Sequence, residues 1–125
     1  MSEDDGIRLL LEQEGPYAFR ISFEGTGLDA LHSDESAPLG GGTGPNPSHL
    51  LLAGVANCLS ASLLFALRKF KNAPGPIRTE IVAHKARNEA GRWRIPRAEV
   101  AIRLSDAAAG LEHFDRVLGQ FEAFC

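Results

Sequence analysis

Asn46-Pro47-Ser48-His49-Leu50-Leu51-Leu52-Ala53-Gly54-Val55-Ala56-Asn57-Cys58-Leu59-Ser60-Ala61-Ser62-Leu63-Leu64-Phe65-Ala66-Leu67 runs uninterrupted by any formal charge. Its first two residues form a helix start. An asparagine side chain accepts from exposed backbone donors, and proline at the first helical position lacks a donor that would go unpaired there anyway. Arg68, Lys69 and Lys71 follow, where positive charge suits the C-terminal end of the helix dipole. Asn72-Ala73-Pro74-Gly75-Pro76 then stops the helix, which is predicted over about 47–70. Leu50 to Leu67 has eighteen residues, the lower limit for a membrane span. Gly54, Asn57, Cys58, Ser60 and Ser62 dilute its apolar character, so it reads as a helix buried in a soluble domain. A helix without charge on either face needs protein all round. A chain of 125 residues supplies that with difficulty, which points to a dimer wrapped around central helices.

Upstream, Ile7, Leu9 and Leu11 alternate, Glu14-Gly15-Pro16 marks a turn, and Tyr17, Phe19, Ile21 and Phe23 alternate again. Period two predicts an antiparallel hairpin, with a short third strand within 28–33. The segment from Asp34 to Asn46 is a glycine-rich loop. It lacks the Lys-Ser/Thr pair of a P-loop and the parallel context of a dinucleotide fingerprint, so nucleotide binding is not supported. Asp34 and Glu35 are read as organising this loop through local hydrogen bonds. Downstream, 77–87 and 93–104 read as strands around an Asn88-Glu89-Ala90-Gly91 turn, with Pro96 at an edge or strand start. The segment 111–125 reads as a helix, with Leu111, Phe114, Leu118, Phe121 and Cys125 on one stripe. The order is ββ(β)α then ββα, an α+β pattern of two similar halves, taken as one domain over 1–125.

Composition narrows the function classes. Apolar residues make up 44% and charged residues 23%, ordinary globular usage. Thirteen Lys and Arg against sixteen Asp and Glu give a net charge of −3. That excludes the broad basic field of a nucleic-acid binder. The start over residues 1–6 is acidic and polar, unlike a secretory leader, and the protein is expected in the cytoplasm without a membrane anchor. Arg92, Arg94, Arg97 and Arg103 read as a solvated or dimer-edge strand face.

Cys58 and Cys125 are the only cysteines, 67 residues apart, so neither a disulfide framework nor a CxxC site is present. Gly54, Ala61 and Ser62 flank Cys58 at helical spacing, leaving room for another element or a small substrate. Both thiols are expected to point inward. Two readings stand: inert small core residues, or a reactive pair. His32, His49, His84 and His113 are scattered and form no metal motif. Ser60 and Ser62 lack a nucleophile elbow.

The loop Asp34-Glu35, Leu39-Gly40-Gly41 and Gly44-Pro45-Asn46-Pro47, with Cys58 three turns into the helix and a second cysteine far downstream, resembles the OsmC/Ohr family. These are the osmotically inducible and organic-hydroperoxide-resistance proteins, and the likeness runs over nearly the whole chain. It implies an intertwined homodimer with two long central helices enclosed by sheets, and sites at the dimer interface. It also implies reduction of organic or small hydroperoxides in oxidative-stress defence. Cys58 would take the peroxidatic position and Cys125 the resolving position. No cofactor or metal is implied, only an external dithiol reductant. A non-catalytic module binding a small apolar ligand at the interface is the alternative. Peroxidase members carry a glutamate just after the Asn-Pro pair, paired with an arginine; here Ser48 stands at that place, and the loop from Ser33 to His49 has no arginine. Relatives also continue past the position of Cys125, so a further tail is expected.

Overall fold

Leu9–Gln13 (β1) and Phe19–Phe23 (β2) form an antiparallel hairpin in register Leu11 to Ile21, and Leu31–Ser33 (β3) pairs on the other side of β2. The sheet order is β1-β2-β3. The computed structural model describes residues 6–105 and 110–125; the acidic start over residues 1–5 lies outside them. Contacts divide the chain into two units, Met1–Leu51 and Leu52–Cys125. In the first, the Glu14 amide donates to the Ala18 carbonyl and closes the hairpin turn. Tyr17 belongs to that turn rather than to β2, so the aromatic alternation starts at Phe19. Ala18 and Ile21 are its buried apolar residues.

The helix α1 spans Pro47–Lys69, the predicted range to within a residue. It ends in a Schellman arrangement. Lys71 adopts a left-handed conformation (φ 63°), its amide donates to the Arg68 carbonyl, and the Asn72 amide reaches back to Leu67. In the second unit Arg78–Arg87 (β4) and Trp93–Arg103 (β5) form a two-stranded antiparallel sheet. Ile81 faces Val100 and Thr79 faces Ile102, and these are the less exposed positions on both strands. The register breaks between His84 and Ala86, which sets Ile95 and Pro96 opposite Lys85. A proline without an amide donor fits such a bulge. The arginines 92, 94, 97 and 103 are all exposed, and Arg97 pairs with Glu99.

The chain end departs from the predicted continuous helix over 111–125. The helix α2 spans only Phe114–Gln120 and tightens into a 3-10 turn over Phe121–Phe124. His113 in the left-handed region (φ 56°) blocks an earlier start. The Asn72 side chain clamps the approach to α2, donating to the Glu112 carbonyl and accepting from the Glu112 amide. The buried residue of α2 is Val117, absent from the predicted stripe, while Leu118 is exposed. With the helix beginning at Phe114, the spacing 114, 117, 121 faces the core and 118 rotates outward. Leu63, Ala66, Leu67 and Val117 form the buried cluster, with Phe70, Ile102, Leu104, Leu111, Phe114 and Phe121 packed around it.

Of α1, only Ser62, Leu63, Ala66 and Leu67 are buried in the single chain. The helix is long and apolar enough by length and composition to cross a membrane, with a mean hydropathy of 2.1 over eighteen residues. Leu67 is fully buried at the centre of the cluster. Leu67→Ala is expected to lower unfolding free energy by about 2–5 kcal/mol through lost burial and a residual cavity. Urea denaturation of the variant beside the parent checks this.

Candidate functional site

The first unit supplies the loop that leads into α1. Asp34 is buried, and its carboxylate accepts from the Gly41 amide (3.1 Å), the Thr43 amide (3.2 Å) and the Thr43 hydroxyl (2.8 Å). These bonds hold its carboxyl below the usual range; the Thr43 hydroxyl contributes most and outweighs the opposing effect of burial. This is the loop-organising role expected of Asp34. Thr43 also meets His32 Nε2 at 2.8 Å, and His32 Nδ1 lies 2.9 Å from Glu14. The chain Glu14–His32–Thr43–Asp34 thus ties the hairpin turn, β3 and the loop together. Gly44 passes so close to the His32 carbonyl that a Cβ would lie 2.5 Å from it, so only glycine fits.

The loop delivers Asn46 as the cap of α1. Asn46 Oδ1 accepts from the His49 amide (2.8 Å), and His49 Nδ1 accepts from the Asn46 amide (3.1 Å). This is a reciprocal capping box with histidine where glutamate or glutamine is usual. Ser48 sits between them on the first turn, so the acidic position of the peroxidase pattern is held by a neutral residue, and the neighbouring histidine is engaged in the cap.

Cys58 is the twelfth residue of α1 and is joined by a disulfide to Cys125, with Cα atoms 5.6 Å apart. That separation lies in the range a disulfide permits. The two cysteines named from the sequence are therefore brought together. Their setting differs from the inward one expected: Cys58 is half-buried and Cys125 is exposed in the single chain. The reason is the shortened α2. The 3-10 turn swings the last residue off the core stripe and onto the flank of α1.

Beside the disulfide lies a groove of about 410 Å³ lined by Cys58, Ala61, Ser62, Phe65 and Phe124. Its α1 residues recur at i, i+3, i+4 and i+7, one face of the helix. Phe65 and Phe124 meet edge to face with ring centroids 4.8 Å apart, and the Lys69 ammonium stands 5.2 Å from the Phe124 ring. Sequence reasoning named Ala61 and Ser62 but missed Phe65 and Phe124. Helical spacing from Cys58 already marks Phe65; Phe124 becomes visible only once the last turn is known to be 3-10. A larger cavity of about 740 Å³ in the first unit, lined among others by Ile7, Leu9, Phe23 and Leu28, carries no thiol.

Fold and cysteine pair together define a two-cysteine protein of OsmC-like architecture. No protein-family model matches the chain, and no curated protein matches it. Solved structures do. A Psychrobacter arcticus protein named for osmotic stress induction and a detoxification response superposes with a TM-score of 0.75 at 16% identity, covering 98% of this chain and 85% of that one. An OsmC-like protein from Vibrio cholerae matches with a TM-score of 0.73 at 13% identity, over 98% and 87% of the two chains. The organic hydroperoxide resistance protein OhrB of Bacillus subtilis matches with a TM-score of 0.67 at 19% identity, over 96% and 85%. The chain has the fold of OsmC-like and Ohr proteins, as its loop and cysteine positions led us to expect.

Asp34 supplies a pH test of the loop. A carboxyl whose folded pKa is depressed stabilises fully above its unfolded value of about 3.9 and loses that contribution as pH falls through the folded value. Thermal melting is expected to show this acid-side loss in the parent. Asp34→Asn should be less stable at neutral pH and should lack that part of the acid dependence.

Proposed function

We propose that the protein is a cytoplasmic, homodimeric thiol peroxidase that reduces organic or small hydroperoxides in oxidative-stress defence. The observation that carries this reading is the Cys58–Cys125 pair beside an apolar groove, on a fold shared with a protein named for organic hydroperoxide resistance. The Cys58 thiolate attacks the peroxide oxygen. The O–O bond breaks, an alcohol leaves, and Cys58 becomes a sulfenic acid. The Cys125 thiol then condenses with it, forming the S–S bond and releasing water. An external dithiol restores both thiols by exchange and is itself oxidised to a disulfide. No metal or organic cofactor enters the cycle. Phe65, Phe124 and Ala61 offer an apolar surface to the organic part of the substrate.

A second reading, a module that binds a small apolar ligand without turnover, is favoured by the neutral Ser48 at the place where peroxidase relatives carry glutamate. The two readings separate cleanly. Cys58→Ser is expected to abolish dithiol-dependent reduction of an organic hydroperoxide. Cys125→Ser is expected to leave a sulfenic acid on Cys58 that a dimedone-type reagent traps. Reduced protein that keeps both thiols free after one equivalent of hydroperoxide would move the assignment to ligand binding.

The exposed apolar face of α1 supports the dimer, since Leu51 and Val55 remain open to solvent in one chain. Light scattering at micromolar concentration is expected to report twice the chain mass. A stable monomer there would remove the dimer from the proposal.

A further inference from the structure

The resolving thiol is held in an unusual way. Cys125 is exposed and directly follows a four-residue 3-10 turn. Short 3-10 turns have poor hydrogen-bond geometry and little stability of their own. The backbone bond local to Cys125 runs from its amide to the Glu122 carbonyl, within the turn itself. A turn of this kind needs a side chain to tie it down.

The side chain that does so is next door. Phe124 packs edge to face on Phe65 at 4.8 Å, and Lys69 places its ammonium 5.2 Å from the same ring. Phe65 lies seven residues after Cys58, two turns along the same face of α1, and Lys69 lies four residues further. A row on α1 (Cys58, Phe65, Lys69) therefore meets a pair on the chain end (Cys125, Phe124). The ring contact lies beside the disulfide on the same face and fixes the 3-10 turn against it.

We propose that Phe124 is a positioning residue for the resolving step: its docking between Phe65 and Lys69 sets how often the Cys125 thiol meets Cys58. This rests on reading the two cysteines as a redox pair, though it does not require peroxide to be the oxidant. Disulfide closure is an intramolecular step, and its equilibrium follows the effective concentration of one thiol near the other. Removing the edge-to-face and cation–π contacts is expected to reduce that effective concentration about tenfold, corresponding to about 1.4 kcal/mol.

The test uses the full chain in glutathione redox buffers. Here the protein disulfide and two glutathione thiols exchange with the protein dithiol and oxidised glutathione, so electrons and protons balance without peroxide. Phe124→Leu keeps an apolar side chain but loses the ring, and its dithiol form is expected to gain about tenfold. Phe124→Tyr keeps the ring and is expected to restore the parent equilibrium. Phe65→Leu should match Phe124→Leu, and the double variant should be no worse than either single one. That cycle keeps the proposal testable from the α1 side if Phe124→Leu folds poorly. A Phe124→Leu equilibrium equal to the parent's, with only the melting temperature of the reduced protein lowered, would show a structural role and overturn the proposal. Additive single variants would overturn it as well. If the parent consumes no hydroperoxide but the glutathione equilibrium shifts as described, the peroxidase assignment fails and the positioning role stands.

Discussion

One helix has to serve two neighbours, and the rest of the second unit follows from how it divides its surface. At 3.6 residues per turn, Leu63, Ala66, Leu67 and Phe70 fall on the side that meets Val117, Phe114 and Phe121. Cys58, Ala61, Phe65 and Lys69 fall on an adjacent strip. Ser62 lies at the boundary, buried on one side and lining the groove on the other. The same rotation that inserts Leu67 into the core therefore fixes where the Cys58 sulfur emerges. A helix needing only a core stripe would carry charges on its remaining faces. Here the strip around Cys58 stays free of charge until Lys69, which leaves the sulfur with apolar neighbours, and Leu51, Val55 and Phe65 leave α1 with uncovered apolar surface.

The glycine-rich loop acts on the same helix from its other end. Three donors converge on the buried Asp34 carboxylate, and the loop it closes presents Asn46 to the first turn of α1. The capping box with His49 satisfies two backbone donors at the start of the helix. Gly44 is required where the loop crosses the His32 carbonyl.

Much of this was legible in the residues. Asn46-Pro47 and the Asn72–Pro76 breaker bounded α1 to within a residue, because caps and prolines act through local backbone chemistry. The strands were legible from period-two patterning and turn residues, and Asp34 from the tendency of short carboxylates to bond nearby amides. The chain end was not. Leu111, Phe114, Leu118, Phe121 and Cys125 fit an ideal helix, but the left-handed His113 and the Asn72–Glu112 clamp, set by a residue forty positions away, delay its start. Local propensity carries no trace of that clamp. The exposed Cys125 and the Phe65–Phe124 contact depend on it, so the pairing of the two cysteines was reached by resemblance while its surroundings were not.

The geometry also orders the two steps of the proposed cycle. A thiolate on Cys58 gains little from the helix dipole, which acts within the first and last turns. Cys58 stands eleven residues after Pro47, about 16 Å along the axis at 1.5 Å per residue. Lys69 stands eleven residues in the other direction, and its ammonium faces the Phe124 ring instead. Both ends of α1 thus lie three turns from Cys58, beyond the reach of the helix dipole. The condensation step, by contrast, joins groups whose Cα atoms are 5.6 Å apart and already docked. In the proposed cycle, a pre-organised closure would keep the sulfenic acid scarce. Such closure would protect the sulfur from further oxidation to states that thiols do not reverse, and the proposed first step would draw its activating charge from groups other than the two ends of α1.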